Sequence, residues 1–197
     1  MKILQYLFIS LSHKVLKLLP YKSIKILSVP IGTLYFLLTF RSSIKLFRRK
    51  EIFNELKINY KPLIVKINYT RYWLETLWLT NKNFSKYISP HVEIENLEYV
   101  EKLKKQYPGL IFALPHLGNW EFAIPIGNSI KLNLLAVAEP LNNSYVLNWF
   151  KSLRESLGIE IIIGGKGQNT FDLLVNKLKS GKLSLIHISE PTRRRTI

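Results

Sequence analysis

The apolar positions of this chain follow two patterns. Up to about residue 80 they recur at helical spacing over long stretches, and beyond about residue 92 they gather in short runs separated by amphipathic sequence. In residues 1–19 polar and apolar side chains alternate at roughly helical spacing, and Pro20 ends the segment. From Ile26 to Phe40 no residue is charged, and Pro30 and Gly32 stand inside the run. Fifteen residues at a rise of about 1.5 Å reach about 22 Å, short of the ~30 Å hydrocarbon core of a bilayer. The run therefore predicts an interfacial or partly inserted anchor ahead of a true span or a buried core helix. No small-residue cleavage site follows, which argues against a cleavable leader. Residues 44–58 predict a basic amphipathic segment. Residues 62–81 predict a helix dense in aromatics, with Tyr69, Tyr72, Trp73 and Trp78. Such a helix packs a core, or lines an interfacial belt or an acyl-chain groove.

The second pattern predicts alternating strands and helices. Val92–Glu95 reads as a short strand and Glu98–Gln106 as a surface helix. Leu110–Leu114 reads as a buried strand, and Trp120–Ile130 as a helix that Pro125 kinks or breaks. Leu134–Ala138 follows as a strand, then a helix from Asn143 to Leu157 stopped by Gly158. Ile159–Ile163 is a strand. Asn169–Ser180 is a helix with Asn169 as N-cap and Gly181 beyond its end. Leu183–Ile188 is the last strand. The expected fold class is α/β, a mostly parallel sheet flanked by helices and preceded by a hydrophobic, basic, helical N-terminal segment. The expected division is an anchoring segment over residues 1–50, an incomplete α/β domain over 51–188, and a tail over 189–197.

Charge changes the picture by its location. Residues 1–50 contain ten Lys or Arg and no Asp or Glu, so they hold ten of the sixteen net positive charges. Residues 51–100 carry six of each sign. A segment both basic and apolar suits an anionic membrane surface, whereas a nucleic-acid arm is basic and polar. With 47% hydrophobic residues the chain is rich for a soluble enzyme and too polar for several membrane spans. There is no cysteine, which excludes thiolate catalysis, disulfides and zinc–cysteine sites. Asp172 is the one aspartate, so carboxylate chemistry falls to it or to a glutamate.

The candidate chemistry lies in Leu114-Pro115-His116-Leu117-Gly118-Asn119-Trp120-Glu121. On a continuous helix His116 and Glu121 would point about 140° apart. They can meet only if His116 sits on a turn and Glu121 on the first turn of the next helix. Gly118 and Asn119 suit that turn, and Asn119 can cap the helix. The apolar strand before it would deliver His116 to the carboxyl edge of the sheet, where open α/β sheets bind ligands. The helix start also offers N–H groups to an anionic group. A neutral imidazole can take a proton from a hydroxyl, and a carboxylate behind it would orient the ring. No Ser or Cys stands beside the histidine as a nucleophile, which favours direct transfer to an acceptor hydroxyl over a covalent intermediate. Gly164-Gly165-Lys166-Gly167 lacks P-loop spacing and reads as a flexible turn. His13, His91 and His187 are scattered, so no metal is expected.

The sextet His116–Glu121 in its strand–turn–helix setting resembles the His-x4-Asp/Glu motif of glycerolipid acyltransferases. In its full form it is similar to the bacterial lipid A late acyltransferases and the related phosphatidylinositol mannoside acyltransferases. The likeness extends to Phe47-Arg48-Arg49-Lys50 before Asn54, to Val137-Ala138-Glu139-Pro140-Leu141, to Arg154 and Leu157-Gly158, and to the helix end from Lys177 to Gly181. The resemblance implies transfer of a fatty acyl group from an acyl carrier protein or coenzyme A thioester to a hydroxyl of a membrane glycolipid, at the cytoplasmic face of a bacterial cell membrane. No cofactor beyond the donor thioester is implied. His116 would be the general base and Glu121 its partner, with Gly118, Asn119, Glu139 and Arg154 on the substrate side, where Arg154 could pair with phosphate. The lipid A enzymes often have Arg where Glu139 stands, which tilts the acceptor toward mannoside-type or other glycolipids. The other reading of the residues is a non-catalytic basic membrane-surface protein, or an inactive acyltransferase fragment. In the family an aspartate-containing motif ends the strand after Leu183-Ser184-Leu185-Ile186. Here a polar, basic stretch follows instead, so residues 189–197 are expected to be a non-native or disordered tail.

Overall fold

Pro20 separates the first two helices of the chain, as the pattern predicts: α1 (Lys2–Leu16) ends before it and α2 (Tyr21–Leu38) begins after it, with Pro20 at the N-cap position. The structure, a computed structural model, describes residues 1–40, 61–115, 118–164 and 169–188. The basic stretch 44–58, His116, Leu117, most of the glycine-rich stretch that begins at Gly164, and residues 189–197 lie outside the described residues. The chain divides into two compact units. One is Ser12–Leu79; the other joins Met1–Leu11 to Thr80–Ile197.

In the first unit α2 packs on α3 (Pro62–Trp78). Gly32 makes the approach possible, because a Cβ there would lie 2.6 Å from Cα of Ile67. Helix α2 runs through Pro30 instead of stopping at it. The aromatic helix α3 serves as core on one side: Trp78 is fully buried, and its indole N–H donates to the Leu19 carbonyl at 2.8 Å. The Tyr21 hydroxyl donates to Glu75 Oε1 at 2.8 Å, and burial followed by that bond pushes its titration up. Tyr69 and Trp73 lie on the exposed side of the same helix.

His13 donates from Nδ1 to the Leu77 carbonyl at 2.7 Å, and burial holds its pKa below the ordinary value of 6.5. The folded state thus binds fewer protons here than the unfolded chain, so stability is present at neutral pH and declines as pH falls below about 6.5. Thermal unfolding between pH 7.5 and 5.5 should show this loss, and His13→Gln should flatten it. A wild-type curve unchanged by acid would contradict the assignment.

Among the described residues no helix is long and apolar enough to cross a membrane. Helix α1 is also less uniformly hydrophobic than its run of apolar residues suggests, since Gln5, Ser10, Ser12, His13 and Lys14 interrupt it. Its apolar side chains nonetheless face outward. Ile3, Leu4, Leu7, Phe8 and Leu11 are exposed, while Tyr6, Ile9 and Ser10 are half-buried.

The second unit has the expected α/β architecture. After short helical turns over Asn81–Asn83, Phe84–Ile88 and Ser89–His91 come α4 (Leu97–Gln106), β1 (Leu110–Pro115), α5 (Ala123–Ser129), β2 (Leu134–Ala138), α6 (Ser144–Leu157), β3 (Ile159–Ile163), α7 (Thr170–Lys179) and β4 (Leu183–Ile188). The four strands form one parallel sheet in the order β1-β4-β2-β3. Leu134, Leu135, Ile159, Ile161, Leu183 and Leu185 pack its core with Ile124, Phe150 and Leu157 from the helices. Gly158 stops α6 at φ 106, a left-handed conformation that glycine adopts without strain. Across β3, Glu160 accepts from Lys177 at 2.6 Å and Lys182 at 3.3 Å, fastening α7 to the sheet.

Three expectations are corrected. Val92–Glu95 is not a strand: Ile94 is exposed, and no sheet neighbour pairs with it among the described residues. Pro125 does not break its helix. A 3-10 turn over Trp120–Phe122 precedes α5, and Pro125 falls in the first turn of α5, where a missing N–H costs nothing. Asn169 does stand at the N-cap of α7, but its side chain caps no backbone group; its amide donates to Asp172 instead.

Candidate active site

Because the sheet is parallel, the carboxyl ends of all four strands share one edge, and the chain leaves that edge after Pro115, Ala138, Ile163 and Ile188. Strand β1 is a nearly continuous apolar run, but it is not the buried strand its composition predicts: it lies at the edge of the sheet, and Ile111 is 57% exposed. It delivers the chain to the carboxyl edge immediately before the sextet. Gly118 follows at φ 64, and a Cβ there would meet no atom within 4 Å, so backbone conformation, not space, calls for glycine. Asn119 is extended, and its Oδ1 accepts from the Glu121 N–H at 3.1 Å, capping the turn that opens the next helix. The turn and the cap stand where the sequence puts them.

Glu121 is 1% exposed. Its carboxylate accepts from Arg154 through both oxygens: Nη2 lies 2.7 Å from Oε1, and Nε lies 3.2 Å from Oε2 and 3.3 Å from Oε1. Arg154 comes from the last turn of α6. Its guanidinium carbon lies 4.8 Å from the centre of the Trp120 ring and 5.6 Å from that of Phe150, one turn earlier on α6. The two rings give the planar cation apolar faces to lie on, and the carboxylate occupies its edge. A carboxylate this deep in the protein needs such a partner, because removing a lone charge from water costs several kcal/mol. The fork also fixes where the Glu121 oxygens sit, which a lysine could not do as well.

The sequence placed Arg154 on the substrate side; the structure brings it to Glu121. The pairing was not legible, because nothing local joins positions separated by 33 residues. The one available signal was that Trp120 adjoins Glu121 and Phe150 stands four residues before Arg154. Glu139 leaves the same sheet edge directly after β2 and is exposed. The Ala138 carbonyl there accepts from Gly164 N–H at 2.9 Å, tying the end of β3 to the end of β2. Among the described residues no group of His, Asp and Glu could hold a metal ion. The local arrangement can therefore hold a buried, oriented carboxylate five residues beyond His116 in the chain.

Comparison with known proteins agrees in kind. The family described as bacterial lipid A biosynthesis acyltransferase matches residues 2–190. Similar curated proteins include the phosphatidylinositol mannoside acyltransferases of two Mycobacterium tuberculosis strains, CDC 1551 / Oshkosh and ATCC 25618 / H37Rv, each 29% identical over 119 residues. That of Mycolicibacterium smegmatis is 27% identical over 119 residues. These matches cover 58–59% of this chain and 37–38% of the relatives, so the chain spans little more than a third of their length in alignment.

Proposed function

The chain belongs to the bacterial lipid A biosynthesis acyltransferase family, and on that premise we propose that it moves a fatty acyl group from a thioester donor to a hydroxyl of a membrane glycolipid. The observation that carries this reading is the buried Glu121 carboxylate, held by Arg154 at the carboxyl edge of the sheet five residues after His116. In this reading His116 removes the proton from the acceptor hydroxyl as the oxygen attacks the thioester carbonyl. Glu121 holds the imidazole in the tautomer that accepts and offsets the charge it gains. Arg154 acts through Glu121 as a positioning residue. Gly118 and Asn119 form the turn on the substrate side, and Glu139 meets the acceptor at the same edge. The donor is an acyl carrier protein or coenzyme A thioester. The names of the relatives and the glutamate at position 139 favour a phosphatidylinositol mannoside-type acceptor over a lipid A precursor.

The acceptor's insolubility asks for attachment to the cytoplasmic face of the membrane. Support comes from α1, whose outward face is Ile3, Leu4, Leu7, Phe8 and Leu11, and from the ten positive charges of residues 1–50. An apolar stripe in a basic stretch of sequence suits the boundary of an anionic bilayer. The test is an acyl-transfer assay on membranes with acyl-thioester donors of several lengths, read by mass spectrometry of the lipids. A lipid gaining one acyl group in an enzyme-dependent way supports the proposal. Vesicle binding with no acylated product would instead favour a membrane-surface protein without catalysis.

A further inference from the structure

Asn143 makes two kinds of bond at once. Its Oδ1 accepts from the N–H groups of Tyr145 and Val146 at 3.2 and 3.4 Å, capping α6. Its Nδ2 donates to the Lys2 carbonyl at 2.9 Å and to Gln5 Oε1 at 3.0 Å, in the first turns of α1. Beside this contact the rings of Tyr6 and Tyr145 lie 6.1 Å apart. The cap explains only half of the side chain, since Asp or Ser would cap as well. The amide nitrogen is what an asparagine adds, and both its donations go to α1.

The position of this contact matters as much as its chemistry. The loop Glu139–Asn143 runs from the carboxyl end of β2 to the start of α6. The first turn of α6 therefore lies at the same sheet edge as Gly118, Asn119 and Glu121. Through Asn143 the helix whose outward face is Ile3, Leu4, Leu7, Phe8 and Leu11 is fixed at that edge. We propose that Asn143 is a positioning residue for acyl transfer, which locks the membrane-facing helix α1 to the α/β unit so that a bilayer-held acceptor meets the reacting edge. This rests on the membrane acyltransferase reading above.

The test is Asn143→Asp, which keeps the cap acceptor and removes both donors to α1. Hydrogen exchange is followed in residues 2–11 and in α6, with and without vesicles of phosphatidylcholine and phosphatidylglycerol. Without vesicles, exchange in residues 2–11 should rise about tenfold for the loss of two hydrogen bonds, while α6 stays as protected as in the wild type. The apparent KM for vesicle-held acceptor should rise by a similar factor with kcat little changed, and the double variant Asn143→Asp, Gln5→Lys should recover part of it by pairing the new charges. Should Asp weaken α6, Gln5→Ala with Tyr6→Ala loosens the same contact from the α1 side and leaves the cap intact. Unchanged exchange in residues 2–11 in either variant would overturn the proposal. So would a variant with loosened α1 and wild-type KM on vesicles. A wild-type protein that acylates no lipid would defeat the underlying function instead, and the exchange result would still decide whether Asn143 holds α1.

Discussion

Arg154→Ala should destabilise the α/β unit by about 3 kcal/mol or more and remove most of the acyl-transfer activity. The stability loss follows from burial. Glu121 is 1% exposed, and without the guanidinium its carboxylate would be a buried charge with no counter-charge among the described residues, a situation that costs about 3–5 kcal/mol. The activity loss follows from geometry, since a reacting group displaced by about 1 Å can lose about 100-fold in rate. Arg154→Lys separates the two effects. It keeps a positive charge near Glu121 but loses the two-point fork and the flat surface that lies between Trp120 and Phe150. It should therefore recover more stability than activity. Urea denaturation and initial rates on the same preparations measure both. If Arg154→Ala unfolded at the wild-type urea concentration, the pair would be marginal to the fold. If Arg154→Lys kept full activity, the fork would have no part in placing Glu121.

Much of the α/β unit was legible because its strands are short apolar runs set between turns. Runs such as Leu134–Ala138 and Ile159–Ile163 carry almost no polar residue, and the glycines at 118, 158 and 181 stand at turns with positive φ. A local conformational demand leaves a local mark. Sheet order left none: β4 lies between β1 and β2 because of packing among residues far apart in the chain. Val92–Glu95 misled because two apolar residues alternating with glutamates mimic a strand that has no sheet to join. The turns over Asn81–His91 went unread because their irregular helical forms have no fixed period. At the site, Gly118 and the Asn119 cap were readable from residue type. The Glu121–Arg154 pair was not, because it depends on how α6 packs. The outward direction of α1's apolar face was equally hidden, since a hydrophobic stripe looks the same whether it faces a core or a membrane.

The second large effect is expected at His116. Proton removal by a positioned base is worth about 10²–10⁴ in rate, and the sextet offers no Ser or Cys nucleophile to carry the reaction by another route. His116→Ala should leave folding unchanged in urea, because the sequence sets it between the end of a strand and a capped turn, apart from the apolar runs that build the core. It should also leave vesicle binding unchanged, because the proposed membrane-facing residues belong to α1. The decisive measurement is the initial rate of acyl transfer from an acyl thioester to vesicle-held lipid, for wild type and His116→Ala at equal amounts of bound protein. The account predicts a rate at least about 100-fold lower for the variant with its vesicle binding intact. A variant that acylates lipid as fast as the wild type would contradict it.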